Sequence, residues 1–180
     1  MVFFATSNKN KVEEAAKILN VPVQHLPFDY PEIRSDSLEE VARDSVRAAY
    51  RRCKEPVFVE DSGLFISSLK GFPGTYSGWA HGKIGNEGIL RLMEGVEDRS
   101  AYFEACIGYM KDKEHVLIFH GKCHGSISLE PMGEGGFGYD PIFIPDGEHQ
   151  TFAESIELKN KLSHRYKALL EFSKSLSLRS

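Results

Sequence analysis

Cysteine is scarce in this 180-residue chain: Cys53, Cys106 and Cys123 stand far apart and are odd in number. They form no Cys-x-x-Cys pair and have no histidine at zinc-finger spacing. A disulfide framework and a zinc ribbon are thereby excluded, and reduced thiols in a cytoplasmic protein are the expectation. Long apolar runs are missing too. Nothing approaches the roughly 18 consecutive apolar residues of a membrane span. The first apolar run, residues 1–5, is followed by Lys9 and Lys11 rather than preceded by basic residues, the wrong order for a secretory leader. Nor is there an excess of positive charge, since 22 Lys and Arg face 26 Asp and Glu for a net charge of −4. That balance argues against nucleic acid as the partner, whereas a single phosphorylated small molecule needs only a local basic pocket. Repeats, low-complexity tracts and linkers are absent, so residues 1–180 read as one domain, and 41% hydrophobic residues suffice for its core.

What is present alternates. Residues 2–5 read as a short buried strand, followed by the polar turn Thr6-Ser7-Asn8 and then Val12, Ala15, Ala16 and Leu19 at helical spacing. Ser37 with Glu40 three positions on matches a capping box, and the helix formers behind it predict a helix over 38–53. Val57-Phe58-Val59 reads as a central strand ending at Glu60-Asp61-Ser62-Gly63. Residues 70–76 form a loop by their glycine and proline content, and Ile89, Leu90, Leu92 and Met93 predict a short helix ending near Gly95. Strands over 101–110 and 116–128 flank the charged connection 111–114, a hairpin pattern. A glycine cluster, a strand over 141–144 and a last helix over 163–176 complete the chain. Such an order predicts an α/β fold with a mixed sheet and a cleft.

Four segments carry residues suited to chemistry. Glu60 and Asp61 follow an apolar strand, where carboxylates must be solvated, paired or metal-bound; magnesium takes one or two such acids and completes its shell with water and substrate phosphates. On a strand the two acids point to opposite sides, so they need not share a role. An ordinary strand-terminal turn capped by Asp61 would read the same way. Ser7, Asn8, Lys9, Asn10 and Lys11 lie between strand and helix, where free N–H groups favour an anion, though polar residues with a lysine also begin many helices. Gly133-Glu134-Gly135-Gly136-Phe137-Gly138 matches G-x-G-x-x-G, yet a proline-led strand follows where a dinucleotide site needs a helix. A glycine-rich approach to a ligand, with Phe137 and Tyr139 stacking on a base, stands beside a plain hairpin loop with core aromatics. Lys159, Ser163, His164 and Arg165 gather donors at the last helix start, as would any solvated basic helix end. His120 and His124 share a strand face without a third ligand, which does not make a zinc site.

Taken in order, Thr6-Ser7-Asn8 with Lys11, Glu60-Asp61-Ser62-Gly63-Leu64, Gly71-Phe72-Pro73-Gly74-Thr75-Tyr76-Ser77, Gly136-Phe137-Gly138-Tyr139-Asp140-Pro141 and Ser163-His164-Arg165 resemble the Ham1/inosine triphosphate pyrophosphatase family. The resemblance implies an elongated mixed β-sheet flanked by helices, with two lobes around a deep substrate cleft. It implies Mg²⁺-dependent hydrolysis of ITP, dITP and XTP to monophosphate and pyrophosphate by a homodimer. By the same resemblance, Thr6, Ser7, Asn8, Lys9, Asn10 and Lys11 form the triphosphate turn. Asp61 is the general base and a metal ligand, and Ser62 touches substrate. Phe137, Gly138, Tyr139, Asp140, Lys159, His164 and Arg165 form the base and phosphate pocket. Glu32 is the expected second metal ligand, with Glu40 its competitor. The family's helix often carries a substrate-facing lysine where this chain has Ser45, a place Arg47 is expected to fill. Alternatives are a Maf-type pyrophosphatase with another base preference and a non-catalytic nucleotide-binding regulator. A serine hydrolase on Ser62 lacks the nucleophile-elbow pattern.

Overall fold

The computed structural model describes residues 1–28 and 33–177. Among these residues seven strands make one sheet: β1 (Val2–Ala5), β2 (Val23–Leu26), β3 (Val57–Ile66), β4 (Pro73–Gly74), β5 (Ser100–Met110), β6 (Leu117–Ile127) and β7 (Phe143–Pro145). Their order is β2-β1-β3-β5-β6-β7, with β4 paired to β3. Parallel pairing sets Phe4 opposite His25 in β2 and opposite Phe58 in β3, while β3–β4 and β6–β7 are antiparallel. The helices are α1 (Lys9–Ile18), α2 (Leu38–Cys53), α3 (Ser77–Leu92), α4 (Ile156–Leu162) and α5 (His164–Ser177). The mixed sheet expected from the alternating pattern is what the chain forms, with the helices that the family resemblance implies.

Local chemistry sets the boundaries. Asn8 caps α1 by accepting from the Asn10 N–H at 3.0 Å. Ser37 caps α2 by accepting from Glu40 N, but the reciprocal half of the predicted box is rerouted: Glu40 takes a bond from Ser35 Oγ at 2.6 Å, and Ser35 accepts the Ser37 N–H. Helix α2 covers 38–53 as predicted. Strand β3 departs from expectation, running through Glu60 and Asp61 to Ile66 instead of ending at them. Helix α3 also begins earlier than its apolar residues indicate, because two helical segments meet at a break on Gly85. The strand expected over 141–144 is a 3₁₀ turn, Asp140–Ile142, followed by β7.

The chain forms two compact units. Residues 1–61, 105–121 and 165–180 make the first, and 62–104 with 122–164 make the second. In the first, Phe4 stacks on Phe58 at 4.2 Å and Phe58 meets Phe172 at 5.0 Å, in a core with Val2, Ile107 and Leu169. In the second, Phe103 meets Phe143 edge-on at 4.7 Å among Leu64, Ile89, Met93 and Phe152. No helix among the described residues is long and apolar enough to cross a membrane.

Candidate functional site

In the first unit the site grows from the β1–α1 turn. Thr6 Oγ1 accepts the Asn8 N–H at 3.1 Å, tightening the chain so that Ser7, Lys9 and Asn10 stay exposed around the start of α1. Lys11 turns inward from the first turn of α1. Its Nζ donates to the Glu60 carbonyl at 3.0 Å and lies 3.2 Å from Glu60 Oε2. One lysine thus fastens the turn to the β3 residue directly before Asp61.

Glu60 is buried, and its charge is answered in full. Arg165 Nε donates to Glu60 Oε2 at 2.9 Å, and Arg165 Nη1 donates to Glu14 Oε2 at 2.7 Å. Burial works against the guanidinium's charge, yet the two carboxylates and their hydrogen bonds outweigh it, so its pKa lies above its ordinary value. Two cations and two anions therefore neutralise one another where β3, α1 and α5 meet. Glu60 is held by this network, while Asp61 is half-buried and points to the other side of the strand. Glu14 escaped the sequence reading. Its signal was the Lys11-x-x-Glu14 spacing, which sets both side chains on one face of α1.

The second unit holds a separate cluster. Lys159 Nζ donates to Asp140 Oδ2 at 2.9 Å and sits 4.1 Å above the Phe137 ring. Asp140 Oδ2 also accepts the Phe137 N–H at 2.7 Å. Gly136 sits at φ 71°, and a Cβ there would collide with the Asp140 carboxylate, so the loop requires glycine for both conformation and space. Tyr139 is buried rather than offered as a stacking face: its O–H donates to the Ser77 carbonyl at 3.0 Å, and its ring meets His81 edge-on. Burial pushes the phenol up to about 12. Phe137 is half-buried. His164 is buried and stacks on Phe103 at 4.6 Å. Ser62 opens this unit's share of β3.

The predicted residues are thus divided. Thr6 to Lys11, Asp61 and Arg165 belong to the first unit; Ser62, Phe137 to Asp140, Lys159 and His164 belong to the second. Glu32 lies outside the described residues. Glu40, its competitor, is exposed and spends its carboxylate at the α2 cap. Ser45 is buried in α2 while Arg47 is exposed. Two positions along a helix turn the side chain by about 200°, so Arg47 does not fill the place of Ser45. His120 Nε2 lies 3.5 Å from Glu39 Oε2, and the His124 ring lies beside Tyr102.

Among the described residues no group of three His, Cys, Asp or Glu gathers to hold a metal. The half-buried Asp61 carboxylate on β3 is of the type that can hold Mg²⁺, an ion that keeps waters and shares substrate phosphates.

The Ham1 family model matches residues 2–175. The chain is 51% identical over 175 residues to a dITP/XTP pyrophosphatase of Methanopyrus kandleri, covering 95% of this chain and 93% of that protein. It is also 51% identical to the dITP/XTP pyrophosphatase of Pyrococcus horikoshii, covering 95% and 94% of the two chains. Among solved structures, a HAM1 protein from Coxiella burnetii superposes with a TM-score of 0.86 at 33% identity, covering 98% of each chain. The Staphylococcus aureus Ham1 protein gives 0.87 at 28% identity over the whole of both chains.

Proposed function

Because the chain belongs to the Ham1 family, we propose that it hydrolyses ITP, dITP and XTP to the nucleoside monophosphate and pyrophosphate, clearing deaminated purines from the nucleotide pool. The observation that carries the geometric side of this reading is the Lys11–Glu60 contact, which ties an anion-binding helix start to the strand residue preceding Asp61.

Water attacks the α-phosphorus in line with the bridge to the β-phosphate. Asp61 accepts the water's proton, the α-phosphorus gains the new oxygen, and the bond to the bridging oxygen breaks with its electron pair leaving on pyrophosphate. Lys11, Lys9 and the N–H groups of the Thr6–Asn10 turn hold the departing phosphates at the positive end of α1. Lys11 exchanges part of its hold on Glu60 for phosphate oxygen, while Arg165 keeps the Glu60 charge neutralised. Asp61, with Glu32, would hold Mg²⁺, which when bound neutralises the charge growing on the phosphates.

Selectivity belongs to the second unit. Phe137 stacks on the purine, and the Gly138–Asp140 loop, Lys159 and His164 surround its edge with donors. Hypoxanthine and xanthine present a 6-keto oxygen that accepts from them. Adenine presents an amino group, leaving a donor unmatched at about 1–3 kcal/mol per contact. The reading includes a homodimer working in the cytoplasm, a compartment suited to Cys53, Cys106 and Cys123 as thiols outside any disulfide.

The test is a product assay across ITP, dITP, XTP, GTP, ATP and pyrimidine triphosphates, with Mg²⁺ and after chelation. Monophosphate and pyrophosphate in equal amounts, confined to 6-oxopurines other than guanine and lost on chelation, support the reading. Release of inorganic phosphate, or a preference for pyrimidines, counts against it.

A further inference from the structure

Helix α3 is broken at Gly85, whose φ of 61° and ψ of −167° lie in a backbone region open essentially to glycine alone. The break releases Asn86 from the register of the first helical segment and lets its side chain reach the glycine-rich loop. There Asn86 Nδ2 donates to the Gly138 carbonyl at 3.1 Å. Chemistry fixes the orientation of the amide, since turning it over would set its oxygen against another oxygen. The remaining Oδ1 is buried and finds no hydrogen-bond partner among the described residues.

An asparagine at the start of a helical segment ordinarily caps it by accepting a backbone N–H. Oδ1 accepts none, so capping is not its task. A leucine of similar volume would fill the place without stranding a buried acceptor, which costs about 1–3 kcal/mol. What asparagine alone adds is the donor to Gly138.

That bond governs the next peptide group. The carbonyl and the N–H of one planar trans peptide point in opposite directions, and the cis bond in the described chain is at Phe72–Pro73, not here. Holding the Gly138 oxygen toward Asn86 therefore turns the Tyr139 N–H away from it. On its other side the peptide is anchored by Tyr139, whose hydroxyl is bound to Ser77 and whose ring rests on His81.

We infer that Asn86 is a positioning residue for base selection, aiming the Gly138–Tyr139 peptide so that its N–H donates to the keto oxygen of a 6-oxopurine. This rests on the reading of the 136–140 loop as the purine-binding segment. A donor locked in direction discriminates better than a mobile one, because it cannot swing aside to accommodate an amino group.

The experiment compares wild type with Asn86→Leu and Asn86→Ala in pyrophosphate release from ITP and ATP, alongside thermal melts. Both variants lose the donor but differ in volume, so agreement between them assigns the effect to the hydrogen bond. Expected in both are a KM for ITP raised about five- to tenfold, kcat within about twofold, and an ITP-to-ATP preference reduced by a similar factor. The leucine variant should melt no lower than wild type. An unchanged KM and an unchanged preference overturn the inference, as does an equal fall in kcat on both substrates with a lowered Tm. Failure of wild type itself to release pyrophosphate from ITP, dITP or XTP would overturn the functional reading and the inference together.

Discussion

Lys159 donates to Asp140 at 2.9 Å with both side chains almost wholly withdrawn from solvent, at 4% and 5% exposure. The two residues come from segments that the family resemblance places in one pocket. Their pairing joins α4 to the glycine-rich loop.

Breaking that pair strands a charge. Lys159→Met should lower the unfolding free energy by about 3–5 kcal/mol, because the buried Asp140 carboxylate loses the ammonium that pairs with it. Adding Asp140→Asn should recover part of the loss. Urea unfolding of the two single variants and the double variant measures this, and additive losses would show that the residues act independently.

Asp61→Asn removes the proton acceptor while keeping the shape of the side chain. Pyrophosphate release from ITP should fall by about 10²–10⁴-fold with an unchanged melting temperature. Near-normal turnover would remove Asp61 from the mechanism.

Gly136→Ala meets two obstacles at once, a left-handed backbone and the Asp140 carboxylate. The backbone alone costs about 1–2 kcal/mol. The variant should melt lower and bind ITP more weakly, and a crystal structure should show Asp140 displaced from Phe137 N. Unaltered melting and affinity would mean that the loop tolerates a side chain after all.

Tyr139 gives a signature at alkaline pH. Its folded pKa of about 12 exceeds its ordinary value of 10. Between those values the unfolded chain has released the phenolic proton and the folded chain has not, so stability drains away as pH rises. Below pH 10 this contribution is fully present. Tyr139→Phe should flatten that part of the stability-versus-pH curve, and should lose about 0.5–1.5 kcal/mol near neutrality through the missing bond to Ser77. Parallel curves for the two proteins would speak against it.

Legibility followed the range of the interactions that shape each element. Helix α2 was readable because its cap, its formers and its apolar face are all local. Strand β3 was cut short because Glu60 and Asp61 look like a strand end; what keeps Glu60 inside is Arg165, 105 positions away, which no window along the chain reveals. Strand β2 passed unread since its four residues are only partly covered, and α4 because Lys159 is its one buried residue. Helix α3 is dense in glycine, which hid its first segment. The motif residues were identifiable by type, but their division of labour was not. Lys11 and Arg165 both read as ligands for phosphate or base, whereas each is also a counter-charge for Glu60.

The first unit is assembled from three separated stretches of sequence, and its aromatic core closes only when Phe172 reaches Phe58. On the ribosome, β1, α1 and β3 emerge early and must wait, with Phe4 and Phe58 uncovered and Glu60 lacking its arginine, until α5 has been translated. A stalled or prematurely terminated product missing this last helix would display a sticky aromatic face and a buried-type acid that lacks its arginine. Such a fragment is a natural client for chaperones and proteases, so full-length synthesis is itself a checkpoint for this protein's accumulation.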